Sequence, residues 1–218
     1  MQYLLLARHG NTFAPGQKAV WVGARNDLPL VDSGVAQAES LAQALEKASI
    51  KPEATYAARL KRTVSYAQII HDQLQLSKAV ILDHRLDEID YGSWSGLSND
   101  EIKAKFGDIE LNEWMQYGKW PASFAGLESV IEEQVESFVQ EVIEEQADKR
   151  LTLAVSSNGR LKYFLKLMQD IYSDYIEHAK WKVATGNICL LSYSKGLWDL
   201  ICWNENPHST TAFGIMQR

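Results

Sequence analysis

The chain has 218 residues, 46% hydrophobic and 23% charged, with a formal net charge of −6 at pH 7. That length suits one domain with a full core and no covalent staples, and the acidic balance argues against general binding to nucleic acid or to anionic membranes. Cys189 and Cys202 lie in apolar C-terminal runs and read as buried thiols of a reducing compartment. Met1-Gln2-Tyr3 carries no basic segment, and the apolar run that follows is too short for a signal peptide or a membrane span, so a cytoplasmic protein is expected.

In chain order, the apolar run from Tyr3 to Ala7 predicts a buried strand over residues 2–8 that ends in Arg8-His9-Gly10. Asp32 and Ser33, both good caps, precede a helix over 33–48. A short strand over 53–57, a helix over 61–73 with Arg62 in its first turn, and a strand over 79–82 come next. The segment 97–125 carries Trp114, Tyr117, Trp120 and Phe124 among glycines and prolines, and reads as a helical insertion over the active-site end of the sheet. Its aromatic content suits either a lid on the cleft or a homodimer contact. A long helix over 127–147 sets Val135, Phe138, Val139 and Val142 at helical spacing, with Glu132, Glu133 and Glu136 on its wet face. That acidic run reads as solvated surface and not as a metal site. Residues 151–155 form a strand, 159–169 a helix, and 186–193 with 197–203 a hairpin around Ser194-Lys195-Gly196. Alternating strands and helices predict a single α/β domain over 1–218, a three-layer α/β/α sandwich with a mostly parallel central sheet.

His9 therefore stands beyond the carboxyl end of a strand, where ligands sit in open α/β sheets. The guanidinium of Arg8 can fork onto phosphate oxygens, and Gly10 lets the backbone approach a ligand closely. Together they suggest a histidine that attacks phosphorus, drawn to its substrate by a local positive pocket. Taken alone, an Arg-His pair is more often a solvated strand end, and Arg62 alone is more often a surface helix arginine. Asp83, Asp87, Glu88 and Asp90 offer four candidate proton donors, and spacing does not choose among them. Arg25 and Trp21 lie in a loop that reaches toward the pocket, and Trp94 with Tyr91 offers an apolar wall for a buried carboxyl.

Several of these pieces resemble, in order, the motifs of the histidine phosphatase superfamily, the phosphoglycerate-mutase-like proteins. Arg8-His9-Gly10-Asn11-Thr12 is similar to its RHG(E/N/Q)T signature, and Asp27-Leu28-Pro29-Leu30 with Gly34, Gln37 and Ala38 to its D-x-P-L-T-x-x-G-x-x-Q-A stretch. Leu60-Lys61-Arg62-Thr63 resembles L-x-R-(A/T), and the segment from Leu86 through Glu88, Gly92, Trp94 and Gly96 to Leu97 resembles L-x-E-x-x-x-G-x-W-E-G-L. Gly126-Leu127-Glu128-Ser129 matches G-G-E-S loosely, and Asn204 to His208 resembles the C-terminal N-x-x-x-H.

The resemblance implies a phosphatase that acts on a small phosphorylated substrate through a phosphohistidine on His9, with no metal or organic cofactor. It implies that Arg8 and Arg62 bind phosphate, that Glu88 is the proton donor, and that Asn11 and Thr12 help hold phosphate or shape the loop. Backbone N–H groups at the start of the 61–73 helix would add donors. One departure stands out. Val155-Ser156-Ser157-Asn158-Gly159 falls where the family has V-S-H-G-G, so Ser157 replaces the second histidine and Asn158 a glycine. Serine keeps a donor but no charge, and loss of a charged donor costs about 2.7–4 kcal/mol of transition-state stabilisation. Ser157 and Asn158 together are expected to take over the imidazole's hydrogen bonds. His208 or His178 is the other candidate substitute. A mutase that keeps the phosphoryl group on the enzyme is disfavoured, because that class usually carries a longer insertion and C-terminal tail. A catalytically weak or inactive module that binds phosphorylated ligands is the reading from a different class.

Overall fold

A computed structural model describes residues 1–145 and 151–216. Six strands, β1 (Gln2–Arg8), β2 (Ala54–Ala57), β3 (Ile81–Leu82), β4 (Leu151–Ser156), β5 (Ile188–Ser194) and β6 (Leu197–Glu205), form one sheet in the order β3-β2-β4-β1-β5-β6. β1, β4, β2 and β3 run parallel, with Tyr3 opposite Leu151 and Arg8 opposite Ser156. β5 and β6 close the other side as an antiparallel hairpin. The sheet is thus mixed and mostly parallel. β1 shows no alternation because both its faces are covered. Leu4 and Leu6 enter one apolar cluster, and Leu5 and Ala7 the other.

Helices α1 (Asp32–Lys47) and α2 (Lys61–Leu74) cover the Leu5 face through Ala38, Leu41, Leu45, Tyr66 and Ile70. The entry to α1 differs from the expectation. Val31 is the N-cap and makes no side-chain cap, while Asp32 lies inside the first turn, where a carboxylate complements the helix dipole. Backbone packing sets this entry. A Cβ on Gly10 would lie 2.3 Å from the Gly34 carbonyl oxygen, and one on Gly34 would lie 2.2 Å from the Asn11 carbonyl oxygen. Gly10 is therefore needed for contact with α1.

The Leu4 face carries the insertion and the later helices. α3 (Asn99–Phe106) starts on a Ser98–Glu101 capping box, and α4 (Ile109–Tyr117) follows. Trp114 and Phe124 are buried, with ring centroids 5.0 Å apart, and Phe124 stands 5.0 Å from Trp94. Trp114 and Phe124 of the insertion thus fill core, while Phe106 and Tyr117 are left exposed. α5 (Glu128–Glu145) buries Val135, Phe138, Val139 and Val142; the expected last turn at 146–147 lies outside the described residues.

After β4 the expected helix over 159–169 is broken. α6 (Asn158–Leu161) gives way to a 3-10 stretch, Lys162–Leu167, and then to α7 (Gln169–Glu177), where no element was expected. Gly159 to Leu165 are all buried, so no solvated face imposes the 3.6-residue period. A short α8 (Ala212–Ile215) seals the Leu5 face with Phe213. Cys189 and Cys202 are free and buried on neighbouring strands, and burial pushes the Cys202 thiol up to about 11. Among the described residues no helix is long and apolar enough to cross a membrane.

Candidate active site

β1 delivers His9 to the site through its pairing with β4. The pairing runs one residue past Arg8, since the His9 backbone N–H donates to the Ser156 carbonyl at 3.0 Å. The imidazole is 6% exposed. Its Nδ1 lies 2.7 Å from the Gly10 carbonyl, which can only accept, so Nδ1 carries the proton. Arg62 Nε–H, which can only donate, points at Nε2 from 3.2 Å. The tautomer is fixed with a lone pair on Nε2. Burial, then the charges of Arg8 and Arg62, hold the His9 pKa well below its usual value. The ring is therefore held neutral, with a lone pair on Nε2, between two cations.

The two arginines are anchored on different elements. Arg62, in the first turn of α2, is 1% exposed and gives one N–H of each Nη to the Asn26 and Gly23 carbonyls, at 3.0 and 2.9 Å. Arg8 Nη1 donates to the Val183 carbonyl at 2.6 Å, while its buried Nε–H has no protein partner. An orphaned buried donor next to a nucleophile is a place for an anion's oxygen. The start of α2 contributes less than expected: the Lys61 N–H is taken by Asp27 Oδ1 at 2.6 Å, and the Thr63 and Val64 N–H groups by the Leu60 carbonyl.

Glu88 shares the cleft with His9, Arg8 and Arg62. Three backbone N–H groups position its carboxyl: Ile89 at 2.9 Å and Arg160 at 3.1 Å on Oε1, and Gly159 at 3.3 Å on Oε2. The Tyr91 hydroxyl bonds the same group, and burial first, then the Glu88 charge, keeps that phenol well above its usual range. Asp87 is turned away to pair with Arg59, Asp83 with Arg85, and Asp90 with Arg25. Of the four carboxylates that spacing does not separate, Glu88 is the one that lines the cleft.

These groups open on a cleft of about 760 Å³, also lined by Asn11, Thr12, Trp21 and Asn158. Asn11 Oδ1 accepts from Thr185 at 2.6 Å and its amide donates to Ser33 at 3.2 Å, so it ties the loop together. Trp21 donates to Asn99 at 2.7 Å and packs its ring edge-on against Tyr91. Arg25 lies outside the cleft, held on the surface by Asp90. Trp94 is completely buried below Trp21 and Phe124 and does not reach the cleft wall.

Position 157 also departs from the expectation. Ser157 is 1% exposed, its Oγ is buried without a partner, and it does not line the cleft. Asn158 does line it, with Oδ1 accepting from the Val183 N–H at 2.8 Å and its amide nitrogen without a protein partner among the described residues. His178 and His208 are exposed and lie outside the cleft. Lys162, Lys182 and Thr185 are among the cleft residues that the motifs do not mark. Lys162 follows Asn158 by four residues, and that spacing is the one signal the sequence offers for it. Among the described residues no three His, Cys, Asp or Glu side chains are placed to hold a metal ion.

The chain is 28% identical over 185 residues to a 2,3-bisphosphoglycerate-dependent phosphoglycerate mutase of Azorhizobium caulinodans, covering 84% of this chain and 88% of that protein. It is 37% identical to the mutase of the same name from Brucella anthropi over 112 residues, 51% of this chain and 53% of that one. The first match overturns the length argument against a mutase, since the two chains are of similar size. Among solved structures, a mycobacterial glucosyl-3-phosphoglycerate phosphatase has a TM-score of 0.76 at 22% identity, covering 94% and 99% of the two chains. Bacillus stearothermophilus YhfR has a TM-score of 0.78 at 20% identity, covering 98% and 100%. These two show the likeness of fold. The family model for the histidine phosphatase superfamily (branch 1) matches residues 4–206, and with that match over nearly its whole length the chain belongs to this superfamily.

Proposed function

We propose that the protein is a phosphomonoesterase that hydrolyses a small phosphorylated substrate through a phosphohistidine on His9. One observation carries the reading: a buried, neutral imidazole with its lone pair on Nε2, set between Arg8 and Arg62 and in one cleft with Glu88. Nε2 attacks phosphorus, the N–P bond forms and the ester P–O bond breaks. Glu88, in its acid form, gives its proton to the leaving oxygen. Arg8, through its unpartnered Nε–H, and Arg62 stabilise the charge on the equatorial oxygens. Water then attacks the phosphohistidine, Glu88 takes the water's proton, the N–P bond breaks, and inorganic phosphate leaves.

The test is turnover of p-nitrophenyl phosphate from about pH 4 to 8 without added metal, with alkali-quenched labelling of the enzyme by the ³²P-labelled ester. An acid-labile label and turnover that both vanish in His9→Ala are expected. Absence of label and turnover across a panel of phosphorylated metabolites would replace this reading with that of a ligand-binding module. The similarity to phosphoglycerate mutases over most of both chains supports a second reading, transfer of the phosphoryl group to a phosphoglycerate. A labelled enzyme that passes its phosphate to added phosphoglycerate faster than to water would select it.

A further inference from the structure

Among the described residues, Lys162 is the one cation of the cleft that is buried without an anionic or carbonyl partner. It is 5% exposed, begins the 3-10 stretch after α6, and lines the cleft, as Asn158 does. Its Nζ stands 3.2 Å from the centre of the Trp181 ring and 4.6 Å from that of Trp114. Among the described residues it has neither a carboxylate within ion-pair distance nor a hydrogen-bond acceptor. Two ring faces return part of the lost hydration energy of an ammonium, but they leave its N–H donors unused. Burial lowers its pKa well below the usual lysine value, Glu88 opposes that shift, and Arg8 and Lys182 add to it. Lys162 therefore sits in the same field as the proton donor and the orphaned arginine, in an environment that an arriving dianion would complete. Ser157, five residues before Lys162, provides neither charge nor access to the cleft.

We propose that Lys162 binds the phosphoryl oxygens during transfer and supplies, from the turn after β4, the positive donor that the family places at position 157. The proposal rests on the phosphohistidine reading of His9. It is tested on the full chain by the rate of His9 labelling from ³²P-labelled p-nitrophenyl phosphate in wild type, Lys162→Met, Ser157→His and the double variant. Lys162→Met is expected to slow labelling about 10²-fold, on the scale of a lost oxyanion donor. Ser157→His is expected to raise the rate of Lys162→Met at least about tenfold, and by more than it raises that of wild type, because both groups fill one role. A purely structural lysine would not be rescued by a histidine elsewhere. Labelling of Lys162→Met within about threefold of wild type overturns the proposal, as does a loss that Ser157→His does not restore. A wild type that takes no label overturns the His9 reading and this one with it. A labelled wild type beside an indifferent Lys162→Met overturns this one alone. Should Lys162→Met not fold, wild-type protein carrying ¹³Cε-lysine is titrated with inorganic phosphate. The Lys162 signal, displaced by the Trp181 ring, is expected to move with phosphate binding, and a fixed signal at saturation overturns the proposal.

Discussion

At His9 the ring is kept neutral by burial and by two guanidinium charges, and this makes its protonation sensitive to either arginine. The acid limb of kcat/KM, set by conversion of the nucleophile to imidazolium, is expected below pH 6.5, the ordinary histidine value. Arg62→Gln removes one nearby positive charge, so the imidazolium becomes less unfavourable, the His9 pKa rises and the limb moves to higher pH. Turnover in the same variant is expected to fall about 10²–10³-fold. A limb that stays in place in the measured pH–rate profile would mean that Arg62 does not set the charge state of His9. Arg8→Gln is expected to move the limb in the same direction and to weaken inorganic phosphate, since it also removes the unpartnered Nε–H.

At the scale of elements, two close approaches hold the site together. A Cβ at Gly159, in α6, would meet both Glu88 Oε1 and the Tyr91 hydroxyl at 2.5 Å. Gly159→Ala is expected to displace the carboxyl that α6 holds with its backbone N–H groups. Turnover should then fall more for an alkyl phosphate, whose leaving oxygen needs a proton, than for p-nitrophenyl phosphate, whose leaving group needs little. Equal losses on the two esters would argue against the acid role of Glu88. Gly34→Ala presses instead on the Asn11 backbone, where no flexible side chain can move aside. The expected cost is about 1–3 kcal/mol, read as a lower urea midpoint, because the loop carrying His9 and the start of α1 must separate.

For the molecule as a whole, core and cleft are expected to respond separately. Phe138 is fully buried between Tyr56 and Phe164 on the face of the sheet covered by α5. Phe138→Ala should cost about 3–5 kcal/mol, a fall in Tm of roughly 10 °C for a chain of this size, with phosphate affinity little changed at 25 °C. Electrostatics gives the second global test. The chain carries a net charge of −6, yet Arg8, Arg62, Lys18, Lys162 and Lys182 line the cleft. Because screening at physiological salt acts beyond about 8 Å, the local cations should dominate capture of a phosphate ester. Raising the ionic strength is then expected to lower kcat/KM, whereas a rise would show that the overall negative charge governs approach.

Much of this was readable along the chain because it depends on neighbours in sequence. The unalternating run of β1 announces a strand covered on both faces, and the Arg8-His9 pair at its end needs only that strand to stand at a ligand-facing edge. Arg62 in the first turn of α2 and the apolar stripe of α5 follow from helical spacing in the same way. Other features arise only when distant segments meet. Glu88 is distinguished from Asp83, Asp87 and Asp90 by which of them finds an arginine and which finds the N–H groups of α6. Trp94 and Trp114 read locally as aromatics near a cleft, but the insertion folds them into the core. The switch to 3-10 geometry after Leu161 comes from burial on all sides, which a periodicity cannot register. Lys162 meets the Trp114 and Trp181 rings only through contacts between α4, the turn after β4 and the segment before β5. Local pattern specifies what each segment can form, and the burial that assigns charge, partner and access exists only once those segments pack.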